Sequence, residues 1–204
     1  MRRCARVIRY ACSWNEDRVK HSPAPARRDF LRRTARLAAA GALPGLAAGV
    51  ARASMGGVRS LAMAHTHTGE RIDVVYATEG GYVPEALGAL NRFLRDHYSG
   101  EVGVIDPNVF DLLVRVRQAL GSAQEFEVIS GYRCPATNQR LRETRGGGVA
   151  RRSLHMDGRA IDVRLPGVAL ADLRDAALSL RAGGVGYYAR EAFVHIDNGR
   201  VRAW

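Results

Sequence analysis

GGVGYYAREAFVHIDNGRVRAW, residues 183–204, is the stretch that decides the fold. Gly183–Tyr188, Ala192–Asp197 and Val201–Trp204 each have strand length and strand composition. Asn198-Gly199 lies between the last two, and both residues tolerate positive φ, so the pair predicts a hairpin turn. Upstream, Ala169–Arg181 spaces Leu170, Leu173, Ala176, Ala177 and Leu180 as one face of a helix, and Arg159–Leu165 (RAIDVRL) predicts another strand. Phe126–Ser130 (FEVIS) is a short strand, and Pro135–Arg142 suits one or two helical turns. Asp106-Pro107 places a capping side chain before a proline at the first helical position, and Val109, Phe110, Leu113, Val116 and Leu120 make the inner stripe that follows. Tyr82–Tyr98 carries Val83, Ala86, Leu87, Leu90, Phe93 and Leu94 at helical spacing, and Arg71–Tyr76 (RIDVVY) predicts a strand. The expectation is an α+β domain, helices first, packed on a small and largely antiparallel sheet.

The net charge of +11 suggests a nucleic-acid binder only until it is mapped. Residues 1–53 hold 12 Lys and Arg against 3 Asp and Glu, whereas residues 54–204 hold 19 against 17. The body of the chain is nearly neutral, which argues against a nucleic-acid partner. The basic segment has the order of an export address. Arg27-Arg28-Asp29-Phe30-Leu31 is a twin-arginine pair, an uncharged run follows from Leu37 to Ala51, and Ala51-Arg52-Ala53 offers small residues to a signal peptidase. The run is too short for a span of about 20 residues, so no stable membrane span is expected after processing. The expectation is a twin-arginine export signal with a basic leader over 1–53, handed to the twin-arginine translocase. One domain over 54–204 would then act in the periplasm or cell envelope. Cys4 and Cys12 lie in the leader, and Cys134 stands alone in the domain, which excludes an intrachain disulfide there and leaves a catalytic thiol as a minor alternative.

Histidines and carboxylates concentrate on the predicted sheet. His155 and Asp162 stand seven apart, the histidine on the loop entering a strand and the aspartate within it. His195 and Asp197 are two apart in one strand and project from the same face. Two imidazoles and a carboxylate, with a position left for water, form a catalytic zinc set. Gly158 allows the sharp approach between His155 and its strand. His65-Thr66-His67 has the alternation of a metal pair, but a solvent-facing polar strand is the favoured reading.

Ser130-Gly131-Tyr132-Arg133 with Pro135 and Asn138, then Ser153-Leu154-His155-Met156-Asp157-Gly158-Arg159-Ala160-Ile161-Asp162, then Phe193-Val194-His195-Ile196-Asp197, resemble the murein endopeptidase K group of the zinc D-Ala-D-Ala peptidase family. The resemblance runs from His67-Thr68-Gly69-Glu70 to Arg202 and Trp204. It implies a hedgehog-like α+β zinc fold and zinc-dependent hydrolysis of peptide cross-links in bacterial peptidoglycan. It also implies one Zn2+ on His155, Asp162 and His195, the same three residues that spacing suggests. In the carboxypeptidase and dipeptidase branches a Glu or Asp three residues before the last ligand is the general base. Here that position is Ala192.

Strand alternation turns the adjacent Glu191 away, so Asp197 is the first choice for the base, with orientation of a ligand or a turn cap as its other roles. Asp157 is a further carboxylate expected to be exposed. Arg133 is expected to bind the carboxylates of peptide stems and to steady an oxyanion. Ser130, Tyr132 and Asn138 are expected to line the same cleft, and Arg145, Arg151 and Arg152 form a basic loop beside His155. The alternative function is a non-catalytic, zinc-containing peptidoglycan-binding module.

Overall fold

The computed structural model describes residues 57–144 and 148–204. The predicted export signal, Cys4, Cys12 and Arg145-Gly146-Gly147 lie outside the described residues. The elements in chain order are β1 (Arg59–His65), β2 (Arg71–Thr78), β3 (Gly81–Tyr82), α1 (Pro84–Phe93), α2 (Pro107–Ala119), β4 (Phe126–Ser130), α3 (Pro135–Thr144), β5 (Ala160–Arg164), α4 (Leu170–Ser179), β6 (Gly184–Tyr188), β7 (Phe193–Asp197) and β8 (Arg202–Ala203). The architecture is α+β. Among the described residues no helix is long and apolar enough to cross a membrane.

All eight strands join one mixed sheet in the order β3-β2-β1-β4-β5-β7-β6-β8. β1 runs parallel to β4 and β8 parallel to β6, and the other pairs are antiparallel. The sheet is therefore larger than expected, and it does not simply follow the helices. The N-terminal strands supply one end and the C-terminal strands the other. The Asn198-Gly199 hairpin is also corrected. β6 lies between β7 and β8, so the turn carries the chain across β6 to its far edge instead of folding it back on β7.

The central strands bury both faces. β7 is buried at every position, and β5 at all but its last. Val128, Val163 and Val194 stand in register on one face, with Ile161, Ile196 and Val185 in the next row. They join the core with Leu113, Val116 and Leu173 of α2 and α4. The opposite face carries Ser130, Asp162, His195 and Gly186 in a single row across β4, β5, β7 and β6. Period-two alternation divides β5, β7 and β6 into an apolar face under helices and a polar face, and an irregularity between Val128 and Ser130 brings Ser130 of β4 into the polar row.

α1 ends at Phe93, earlier than the apolar spacing suggests. The Asp96 carboxylate accepts the backbone N–H groups of Tyr98 and Ser99, which offers the chain a turn in place of another helical one. α2 opens as expected, with the Asp106 side chain accepting the Asn108 N–H ahead of Pro107. At Gly158, φ is +63°, and a side chain there would meet the backbone of Val104. The loop carrying His155 can lie against the 104–105 segment only because this position is glycine.

Candidate metal centre and active-site cleft

Three donor atoms converge on the polar face of the sheet. His155 Nε2 lies 3.2 Å from Asp162 Oδ1 and 3.1 Å from His195 Nδ1, and His195 Nδ1 is 2.9 Å from Asp162 Oδ1. Register accounts for two of them, because Asp162 and His195 are direct partners between β5 and β7. The loop accounts for the third. His155 Nδ1 donates to the Gly131 carbonyl at 2.7 Å, and the Arg133 N–H donates to the His155 carbonyl at 3.2 Å, so the Ser130–Arg133 turn and the His155 loop hold each other. All three side chains are buried.

The donor set fits a metal ion on its own chemistry. Each histidine has an acceptor at its outward nitrogen: the Gly131 carbonyl for His155 and Asp197 Oδ2, at 3.1 Å, for His195. Those acceptors can hold the ring protons outward, so each inward nitrogen has a lone pair to offer an ion once its ring is neutral. Asp162 adds a carboxylate, held well below the usual range; burial opposes this, and the contacts with His155 and His195 outweigh burial. His195 is pushed up to about 9, again against burial, by Asp162 and Asp197 on its two sides. Two ionised carboxylates flanking one imidazole make this corner attractive to a cation.

Asp197 does not face the cleft, which corrects the choice of this residue as base. It is fully buried behind His195. Its Oδ1 accepts from Gly184 N–H at 3.0 Å, Gly199 N–H at 2.8 Å and Arg202 at 3.2 Å, and its Oδ2 accepts from Arg202 at 2.7 Å besides His195. Alternation put Asp197 on the right face, but the chain covers that part of the face. Glu191 is corrected in the other direction. Ala192 has φ +55° and precedes β7, so alternation does not extend back through it. Glu191 lines the same cavity as His155, Asp162 and His195.

That cavity, of about 530 Å³, is also lined by Arg133, Arg152, Tyr188, Arg190, Phe193 and Trp204. Arg133 borders a second, small cavity with Ser130, Tyr132, His67 and His97. It donates towards Ser130 Oγ at 3.4 Å and Asn138 Oδ1 at 3.5 Å, and lies 3.8 Å from Asp162 Oδ2. Asn138 is 2 % exposed and also donates to the Ala150 carbonyl, so it supports Arg133 in place of the expected contact with substrate. Ser130 is buried beside the same guanidinium. The Tyr132 hydroxyl donates to Glu101 at 3.1 Å, and its ring lies against Gly103. Asp157 is exposed, as expected. The Cys134 thiol is buried between Thr137 Oγ1 and Ser99 Oγ, which argues against a thiol nucleophile.

The His65-x-His67 pair is not a polar strand facing solvent. His65 ends β1 with its ring buried, while His67 is exposed and stacks on His97 at 4.2 Å. The residues that sequence missed are Tyr188, Arg190 and Trp204. A pattern signal for Trp204 was available: Gly186 is the one position in the polar row with no side chain.

The family described as peptidoglycan L,D-endopeptidase MepK matches residues 53–204. The peptidoglycan L,D-endopeptidase MepK of Escherichia coli K12 is 47% identical over 146 residues, covering 72% of this chain and 80% of that protein. The probable peptidoglycan L,D-endopeptidase MepK of Haemophilus influenzae is 40% identical over 147 residues, covering 72% and 78%. No solved structure matches the chain. With the motif order, the His-Asp-His cluster and the match over the whole described region in agreement, the chain belongs to the peptidoglycan L,D-endopeptidase MepK family.

Proposed function

We propose that this chain is a zinc-dependent endopeptidase that hydrolyses peptide cross-links of bacterial peptidoglycan at an L,D bond, with zinc held by His155, Asp162 and His195. The observation that carries the reading is the convergence of those three donors at the base of a cleft, each ring tied down at its outward nitrogen. The names of the relatives favour the direct diaminopimelate-to-diaminopimelate link, which joins an L to a D centre, over the D-Ala link, which joins two D centres. The frame is assigned to the hedgehog and D-Ala-D-Ala peptidase type. Residues 1–53 are assigned to twin-arginine export, which delivers the domain to the periplasm.

Zinc, when bound, supplies the Lewis acidity that polarises a peptide carbonyl and lowers the pKa of water. The protein's own residues do the rest. Asp197 Oδ2 holds the Nε2 proton of His195, and the Gly131 carbonyl holds the Nδ1 proton of His155, so both rings keep their orientation. Arg133, braced by Ser130 and Asn138, presents its guanidinium beside Asp162 to a substrate carboxylate or oxyanion. Among the carboxylates lining the cavity, Asp162 belongs to the ligand set, and Glu191 is the other. Glu191 is assigned the proton taken from water and passed to the leaving amine.

The test is digestion of cross-linked peptidoglycan by the purified protein after chelation and after zinc is restored, with products read by mass. Monomeric products that vanish with chelator and return with zinc are expected, and their masses name the bond. In the same assay Glu191→Gln is expected to lower kcat by about 10²–10⁴-fold with zinc retained. The missing carboxylate at Ala192 favours one other reading, a wall-binding module. Zinc bound, wall fragments bound and no cleavage would establish it.

A further inference from the structure

Trp204 is 49% exposed beside the ligand cluster, yet it is held from several sides. Its indole N–H donates to the Tyr188 hydroxyl at 2.9 Å, and the Arg202 guanidinium lies 4.8 Å from its ring centre. Its backbone pairs with β6: Trp204 N–H donates to Val185 at 3.2 Å, and Tyr187 N–H donates to the Trp204 carbonyl at 2.9 Å. The ring lies over Gly186, where an added Cβ would stand 2.6 Å from Cε2. Gly186 is the register partner of His195, so the indole takes the next place in the row Ser130–Asp162–His195, with its centre 5.2 Å from the His195 ring. Arg202 serves both neighbours. It braces Asp197, which holds His195, and it lies against the indole.

An aromatic side chain fixed this firmly, left half in water and lining the cavity of the ligand cluster, is already ordered for contact with a bound molecule. The rim around it is charged, with Arg152, Arg190 and Glu191 on the same cavity. A ligand that matches this arrangement has an apolar middle and ionised ends. The diaminopimelate residue whose amine is acylated in the link has that form where it ends a tripeptide stem: three methylenes between two centres that each bear a carboxylate.

We propose that Trp204 is the specificity-determining platform of the cleft, its indole face taking the methylene chain of the diamino acid at the cleaved link while the charged rim takes the ends. This rests on the reading of the cleft as a peptidoglycan endopeptidase site. Loss of the face weakens substrate binding more than it slows chemistry.

The first arm uses the zinc-loaded full chain with soluble cross-linked muropeptide. Trp204→Ala is expected to raise KM by about tenfold with kcat and zinc content little changed, and Trp204→Phe, which keeps a face but loses the bond to Tyr188, to raise it less. An unchanged KM, or a fall in kcat that tracks loss of zinc, overturns the proposal. The second arm is independent of turnover. Trp14 and Trp204 are the two tryptophans, so a Trp14→Phe protein reports from Trp204 alone. Its emission, read by stopped flow before turnover, is expected to shift and saturate with muropeptide. An emission that does not respond overturns the proposal. A saturating shift in a protein that cleaves nothing keeps Trp204 as a platform and removes the endopeptidase reading instead.

Discussion

Two clusters of histidine lie on this domain, and they are built on opposite principles. In the His155–Asp162–His195 cluster the inward nitrogens meet a carboxylate oxygen within 3.2 Å, and each outward nitrogen has an acceptor. In the His65–His67–His97 cluster the rings meet face to face or edge to face, with centres 4.2 to 6.1 Å apart. His65 Nδ1 accepts the His67 backbone N–H, and its Nε2 is buried with no hydrogen-bond partner among the described residues. Burial and the neighbouring histidines push His65 down to about 4. Three imidazoles close together therefore do not make a metal site. What matters is convergence of lone pairs, a carboxylate among them, and outer partners that fix which nitrogen carries the proton.

The strongest way to break this comparison is to remove one histidine from each cluster. His155→Ala is expected to abolish wall hydrolysis and to take zinc, measured by atomic absorption, well below one per chain. His67→Ala is expected to leave zinc stoichiometry as it is. Zinc retained in the first variant and lost in the second would reverse the assignment. A smaller effect separates the outer partner from the ligands. Asp197→Asn keeps the shape but weakens the hold on His195 Nε2, and zinc affinity in a competition titration is expected to fall by about 10–100-fold. An unchanged affinity would make Asp197 a turn cap only, through its bonds to Gly184 and Gly199.

The juxtaposition of His155 and Asp162 was readable because it is local: the histidine on a loop and the aspartate in the strand it feeds lie seven residues apart. His195, 40 residues from His155, was singled out only by its place in a short apolar strand beside Asp197. The joining of β1 to β4 was not readable. It pairs Met63 with Phe126 in parallel, and no nearby pattern encodes a partner so distant in the chain. The role of Asp197 was half readable. Period two gives the face of a side chain, but whether that part of the face is open depended on Arg202, five positions beyond the end of β7. Glu191 was misplaced by carrying alternation through Ala192, where the backbone turns left-handed. The early end of α1 was hidden because Asp96 competes for N–H groups that apolar spacing does not register.

The smallest effect expected concerns the cluster that is not a metal site, and pH reaches it. His65 titrates at about 6.5 in the unfolded chain and about 4 in the folded one. The lowered folded value means that, between these limits, the unfolded state binds the proton more readily. Its contribution to stability is full above about 6.5, falls as pH drops through that window, and does not change further below about 4. The groups around it are His67, His97, Glu70 and Arg95, and of these only Glu70 favours the charged imidazole. His65→Leu removes the titration while keeping a buried apolar side chain. Urea unfolding at pH 7 and pH 4.5 is expected to show a smaller loss of stability for His65→Leu than for the wild type, because the other titrating groups are common to both. Equal losses would mean that His65 is charged in the folded protein at pH 4.5, and that the ring cluster opens to water before it protonates.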